Sequence, residues 1–137
     1  MSTGMVFGQW NSDSNFQFQQ EDDMNRQHKA KEWVFDRDVK GGSPAPGVIR
    51  KVMSYCDDAM CAVHEFEKGA IVASHSHPHT QITYVVEGHF RFTLRDETRE
   101  IVRGDTICMQ NDVKHACECL EKGILVDFFA PMREDFV

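Results

Sequence analysis

His75 and His77 are separated by one residue, and Gln81 follows four residues later. Side chains of an extended chain alternate in direction, so these three share a face and one strand could bring two imidazoles and an amide together. His79 has the same parity but follows Pro78, which turns it aside, and it reads as an ordinary loop histidine outside the set. With His115 these make up four of the chain's seven histidines. An interior holding several imidazoles needs a proton network or a cation to satisfy them, and a divalent metal does so. Taken alone, a His-x-His pair beside Pro78 reads first as a surface loop.

The elements that must position these groups follow a period of two. Met60, Ala62, His64 and Phe66 share one face, and Phe90, Phe92 and Leu94 alternate with His89, Arg91, Thr93 and Arg95. These are strands with one buried face. Turn formers recur at Lys68-Gly69, Glu87-Gly88, Asp96-Glu97, Arg103-Gly104, Asn111-Asp112 and Lys122-Gly123, and no interval between them has room for a helical crossover. The spacing predicts an all-β antiparallel sandwich or barrel. Gly41 to Gly47 is a cluster of turn formers, so residues 1–47 read as an N-terminal extension and 48–137 as the barrel domain. Gly8 to Lys31 is rich in Asn, Gln, Ser, Asp and Glu, with isolated Trp10, Phe16 and Phe18, and reads as a polar arm unable to fill a core.

The glycines around the histidines change the weight of the metal reading. Gly69-x5-His75-x-His77-x3-Gln81-x6-Gly88 matches the first cupin motif in every spacing, although that motif usually has Glu where this chain has Gln81. Gly104-x5-Gln110-x-Asp112-x2-His115-x3-Cys119 resembles the second cupin motif, with its proline, glycine and final asparagine replaced by Gln110, Asp112 and Cys119. The resemblance implies a cupin (RmlC-like) antiparallel β-barrel or jelly roll, with a divalent metal held by His75, His77, Gln81 and His115. Nickel, zinc, manganese and iron are all compatible with such ligands. Three neutral imidazoles and an amide leave the cation its full charge, so the centre favours anionic ligands.

Ile124 to Phe129 is an apolar run interrupted by Asp127, and a carboxylate in a core strand is costly unless paired or hydrated. Asp127 is either a structural partner of Arg133, which follows a turn at Pro131, or an acid/base group facing the metal cavity. The chain resembles one subgroup of small single-domain cupins, the KdgF family of pectin and alginate catabolism. Three stretches carry the likeness: His75-Ser76-His77-Pro78-His79-Thr80-Gln81 with Tyr84-Val85-Val86-Glu87-Gly88, Gly104-Asp105 through His115, and Val126 through Phe136. The likeness runs from about Val48 to the end. It implies Gln81 as a metal ligand in place of Glu, and Asp127, Phe129 and Arg133 as the cavity residues. It further implies a metal-dependent enzyme that converts 4,5-unsaturated uronates to linear 5-keto-4-deoxyuronates. In that scheme the metal and Arg133 hold the carboxylate, Asp127 moves protons and Phe129 walls the pocket. Two other classes fit the same residues: a cupin dioxygenase or lyase on another small acid, and a non-enzymatic sugar-binding barrel in which Asp127 merely pairs with Arg133.

Composition narrows the partners. The 137 residues suffice for one domain with one core, and 41% hydrophobic with 27% charged residues lies in the globular range. A formal charge of -7 repels nucleic acid and anionic membranes, and no Lys/Arg run makes a local exception. Without a leader-like or membrane-spanning apolar stretch the chain reads as cytoplasmic. The expected partners are a small anionic sugar (a uronate) and a second copy of the chain in a homodimer, which the arm could reach across. Five cysteines, odd in number and without Cys-x-x-Cys spacing, read as reduced thiols, with Cys117 and Cys119 as small buried hydrophobes.

Overall fold

The computed structural model describes residues 30–137. Eight strands follow one another: β1 (Gly42–Ala45), β2 (Val48–Cys56), β3 (Ala59–Phe66), β4 (Ile71–His75), β5 (Thr80–Leu94), β6 (Glu97–Val102), β7 (Thr106–Met109) and β8 (His115–Ala130). All their pairings are antiparallel. The expected alternation is plain in β3, where Met60, Ala62, His64 and Phe66 are buried and their neighbours are not.

Two expected turns are absent. Glu87-Gly88 and Lys122-Gly123 lie inside β5 and β8, which pair with each other from Thr80↔Ala130 to Leu94↔His115. Register shifts between Val85 and Phe90 mark an irregularity in the middle of this ribbon, and such irregularities bend and twist a strand. Gly88 has a φ of +95°, and a Cβ on it would stand 2.6 Å from the Gly123 Cα. The glycines therefore serve a close backbone approach at a bend; turns and bends draw on the same residue, which is why the sequence reads as a turn.

The bend lets one ribbon serve two sheet faces. The first half of β5 and the second half of β8 carry β7 and β3, with β2 and β1 beyond, whereas the opposite halves carry β6 and β4. The result is a jelly-roll barrel. Strand pairing starts ahead of Val48, because Gly42–Ala45 lies along β2 at the sheet edge and Lys31 bridges to Tyr55. Pro44, which suggested a turn, is tolerated there because an edge strand leaves one side unpaired. Residues 1–29, with most of the polar arm, lie outside the described residues.

Along β3 and β8 the inward face passes from apolar to polar and back, and along the start of β5 it passes from polar to apolar. Ala62, His64 and Phe66 on β3, Leu125, Asp127 and Phe129 on β8, and Gln81, Thr83 and Val85 on β5 are all buried. Met60, Ala62, Phe129 and Met132 form one apolar cluster, and Phe66, Val85, Phe90 and Leu125 belong to another. The buried polar residues fill the step between them. Among the described residues no helix is long and apolar enough to cross a membrane.

Candidate active site

The four expected ligands reach one place from four different elements, not from one strand. His75 ends β4, His77 sits in the loop before β5, Gln81 is the second residue of β5, and His115 opens β8 directly opposite His75. Pro78 interrupts any continuous ladder between His75 and Gln81, since proline cannot donate to one. One potential ligand atom from each of His75, His77 and His115 lies within 4.8 Å of the others. His77, Gln81 and His115 are buried, whereas His75 is exposed at the rim.

The hydrogen bonds decide which ring nitrogens face the centre. Nδ1 of His75 lies 2.9 Å from the Ala73 carbonyl, Nδ1 of His77 3.0 Å from the His79 carbonyl, and Nδ1 of His115 2.9 Å from the Val113 carbonyl. A carbonyl only accepts, so all three rings carry their proton on Nδ1 and present the Nε2 lone pair. Nε2 of His115 is buried without a partner. Nε2 of His77 stands 2.9 Å from Oε1 of Gln81, which is also an acceptor. Either a second proton on His77 or a cation must lie between them. Burial first and the Arg133 charge second push His77 below its ordinary value, and burial pushes His115 down to about 4. Protonation is disfavoured, and the donor set fits a divalent cation.

The Gln81 amide also explains the absence of glutamate. Its Nε2 donates to Thr83 Oγ1 at 3.0 Å and to Asp127 Oδ1 at 3.1 Å, which aims Oε1 at His77. A glutamate here would set two carboxylates against each other at that distance. Thr83 Oγ1 donates to the same Asp127 Oδ1. His64 Nδ1 lies 2.8 Å from Asp127 Oδ2, though off the line of an ideal hydrogen bond.

Asp127 therefore has no structural pairing with Arg133. The Arg133 guanidinium instead binds Asp135 through Nε at 3.0 Å and Nη2 at 2.9 Å, and its donation holds the Asp135 carboxyl below its ordinary value. It packs over Phe129 and Phe136 at 5.2 and 4.4 Å. The Met132 amide bonds the Asp57 carbonyl at 3.1 Å, which ties down the segment that returns Arg133 to the barrel. Asp127, Phe129 and Arg133 share with His75, Gln81 and His115 the lining of one cavity of about 240 Å³. His77 stacks edge-on against Phe129 at 5.8 Å.

Four further residues line this cavity beyond the expected site set: Arg50, His64, Thr83 and Phe136. His64 was visible as a polar residue on the apolar face of β3, the same signal that singled out Asp127, and Thr83 has the parity of Gln81. His79 stays outside the ligand cluster, with its ring centroid 5.7 Å from that of His77. Burial pushes the Cys117 thiol up to about 12 and raises that of Cys119, so neither is a thiolate at neutral pH.

Known proteins share the fold that carries this site. The cupin domain model matches residues 62–128. The pectin degradation protein KdgF of Dickeya dadantii is 38% identical over 93 residues, which span 66% of this chain and 84% of that protein. An RmlC-like cupin from Shewanella frigidimarina superimposes with a TM-score of 0.76 at 31% identity, over 82% of this chain and 100% of its own. KdgF from a Halomonas species superimposes with a TM-score of 0.74 at 29% identity, over 78% and 99%. A jelly roll with three histidines converging at its mouth, and a relative this similar over most of its length, place the chain in the cupin family and, within it, among the KdgF proteins.

Proposed function

We propose that the protein opens 4,5-unsaturated uronates to linear 5-keto-4-deoxyuronates in the breakdown of pectin and alginate. The observation that carries this reading is Asp127, a buried carboxylate lining the same cavity as the histidine cluster and Arg133. The Dickeya relative, named for pectin degradation, supplies the substrate class.

When bound by His75, His77, Gln81 and His115, a divalent cation (nickel, zinc, manganese or iron) supplies Lewis-acid chemistry at the acidic end of the sugar. Asp127 Oδ2 takes the proton of the anomeric hydroxyl. The C1 carbonyl forms as the bond from C1 to the ring oxygen breaks, and that electron pair stays on the oxygen at C5 as an enolate. The proton held by Asp127 then goes to C4, and C5 becomes a ketone, so the reaction is an isomerisation with no external reactant. Arg133 has Nε and one Nη2 hydrogen committed to Asp135, which leaves its outer Nη1–Nη2 edge to grip the carboxylate. Phe129 walls the pocket beside His77 and keeps water from the reacting carbons.

Purified protein is expected to abolish the ultraviolet absorbance of an unsaturated uronate, because the C4–C5 double bond conjugated with the carboxylate is lost. Oxygen uptake with the double bond intact would replace this reading with a dioxygenase, and stoichiometric binding without turnover would replace it with a sugar-binding barrel. Arg133→Lys tests the carboxylate grip. An ammonium cannot present two parallel donors, so KM should rise about tenfold, equivalent to about 1.4 kcal/mol, with kcat falling too if the grip tightens on the enolate. A change in melting temperature alone, with steady-state kinetics intact, would remove Arg133 from the site.

A further inference from the structure

We infer that His64 is a positioning residue for Asp127 and that Arg50 fixes the tautomer in which it acts. This rests on the reading of Asp127 as the group that moves the proton. Arg50 Nε donates to His64 Nε2 at 3.1 Å. A guanidinium has donors only, so Nε2 must be an acceptor and the ring proton must sit on Nδ1. That nitrogen is the one 2.8 Å from Asp127 Oδ2. Arg50 is itself held in place, its guanidinium 3.6 Å from the centre of the Phe136 ring. His64 is 8% exposed, so water competes little for either ring nitrogen.

The two oxygens of Asp127 are thereby set apart. Oδ1 accepts from Gln81 Nε2 and Thr83 Oγ1. Oδ2 faces His64 alone among the described residues, and is the oxygen left to meet a substrate proton. The Nδ1–H stands 2.8 Å from Oδ2, off the line of an ideal hydrogen bond, so its dipole flanks that oxygen and leaves a lone pair for the cavity. Arg50 occupies Nε2, so His64 presents a dipole and not a full positive charge. A neutral donor orients a base without weakening it as an imidazolium would. The arrangement runs outward as Asp127, His64, Arg50 and Phe136, across β8, β3, β2 and the C-terminal segment.

Nitrogen-15 correlation spectra of the wild-type histidines, with His64 identified by its disappearance in His64→Asn, should show Nδ1 protonated and Nε2 bare. Finding the proton on Nε2 overturns the inference whether or not the protein opens uronates, and failure of uronate opening alone overturns only the proposed reaction. In kinetics, His64→Leu should lower kcat about 100-fold with KM and metal content unchanged, since a displaced base costs about that much. His64→Asn places an amide N–H where Nδ1–H stood and should recover most of the loss. Wild-type kcat in His64→Leu, or equal loss in both variants, reduces His64 to a packing residue and overturns the inference.

Discussion

Asp127→Asn is expected to lower kcat by about 10²- to 10⁴-fold, the usual scale for removing a general base. The amide has the shape of the carboxylate but cannot take the anomeric proton. The hydrogen bonds dictate how it would sit. Gln81 Nε2 and Thr83 Oγ1 both donate to Oδ1, so the asparagine carbonyl must occupy that position. Its NH2 then faces His64 Nδ1, where Arg50 holds the ring proton, and two donors oppose each other. A buried donor without an acceptor costs about 1–3 kcal/mol, so the variant should also melt several degrees lower. Metal content should be unchanged, because Oε1 of Gln81 remains aimed at His77. Steady-state kinetics, metal analysis and thermal melting read these effects separately. A variant with wild-type kcat would make Asp127 a structural acceptor for Gln81, Thr83 and His64, and nothing more.

His115→Ala, and likewise His77→Ala, should reduce bound metal from about one ion per chain to less than about a tenth of that. His115 stands opposite His75 at the start of β8, and its Nε2 is buried with no hydrogen-bond partner. Without it, two imidazoles and an amide remain. Stability should follow metal content. An ion present at about 100 times its dissociation constant stabilises the fold by about 2.7 kcal/mol, so added metal should raise the melting temperature of the wild type and leave that of the variant unmoved. After chelation the two should melt close together, because the alanine trades an unsatisfied buried nitrogen for a small cavity. Equal metal content in wild type and variant, measured on the purified proteins, would show that the histidine cluster is not the centre.

The central strands and their buried faces were legible where period two survives: the parity of Met60, Ala62, His64 and Phe66 is kept in β3 without exception. The histidine cluster was legible through its glycine spacing, and Asp127 through one charge in an apolar run. His75, His77 and Gln81 share a parity, but they do not share a strand. Parity describes one strand, whereas the loop around Pro78 brings these residues in from β4, the loop and β5. Gly88 and Gly123 look like turns in the sequence because glycine marks places where backbone must do something unusual, and sequence does not say what.

By itself, then, the order of residues determined the class of fold, the histidines of the cluster and the presence of an unusual carboxylate, since all of these depend on local alternation and side-chain chemistry. The tertiary structure alone decided the partners. Asp127 could have met Arg133, and meets Gln81, Thr83 and His64; Arg133 could have met Asp127, and meets Asp135 two residues away. These choices depend on which strands lie side by side: β8 runs between β3 and β5, so residues 64 and 81 reach position 127 while residue 133, beyond the end of β8, does not. Strand adjacency arises from contacts between residues far apart in the chain, and no local pattern encodes it.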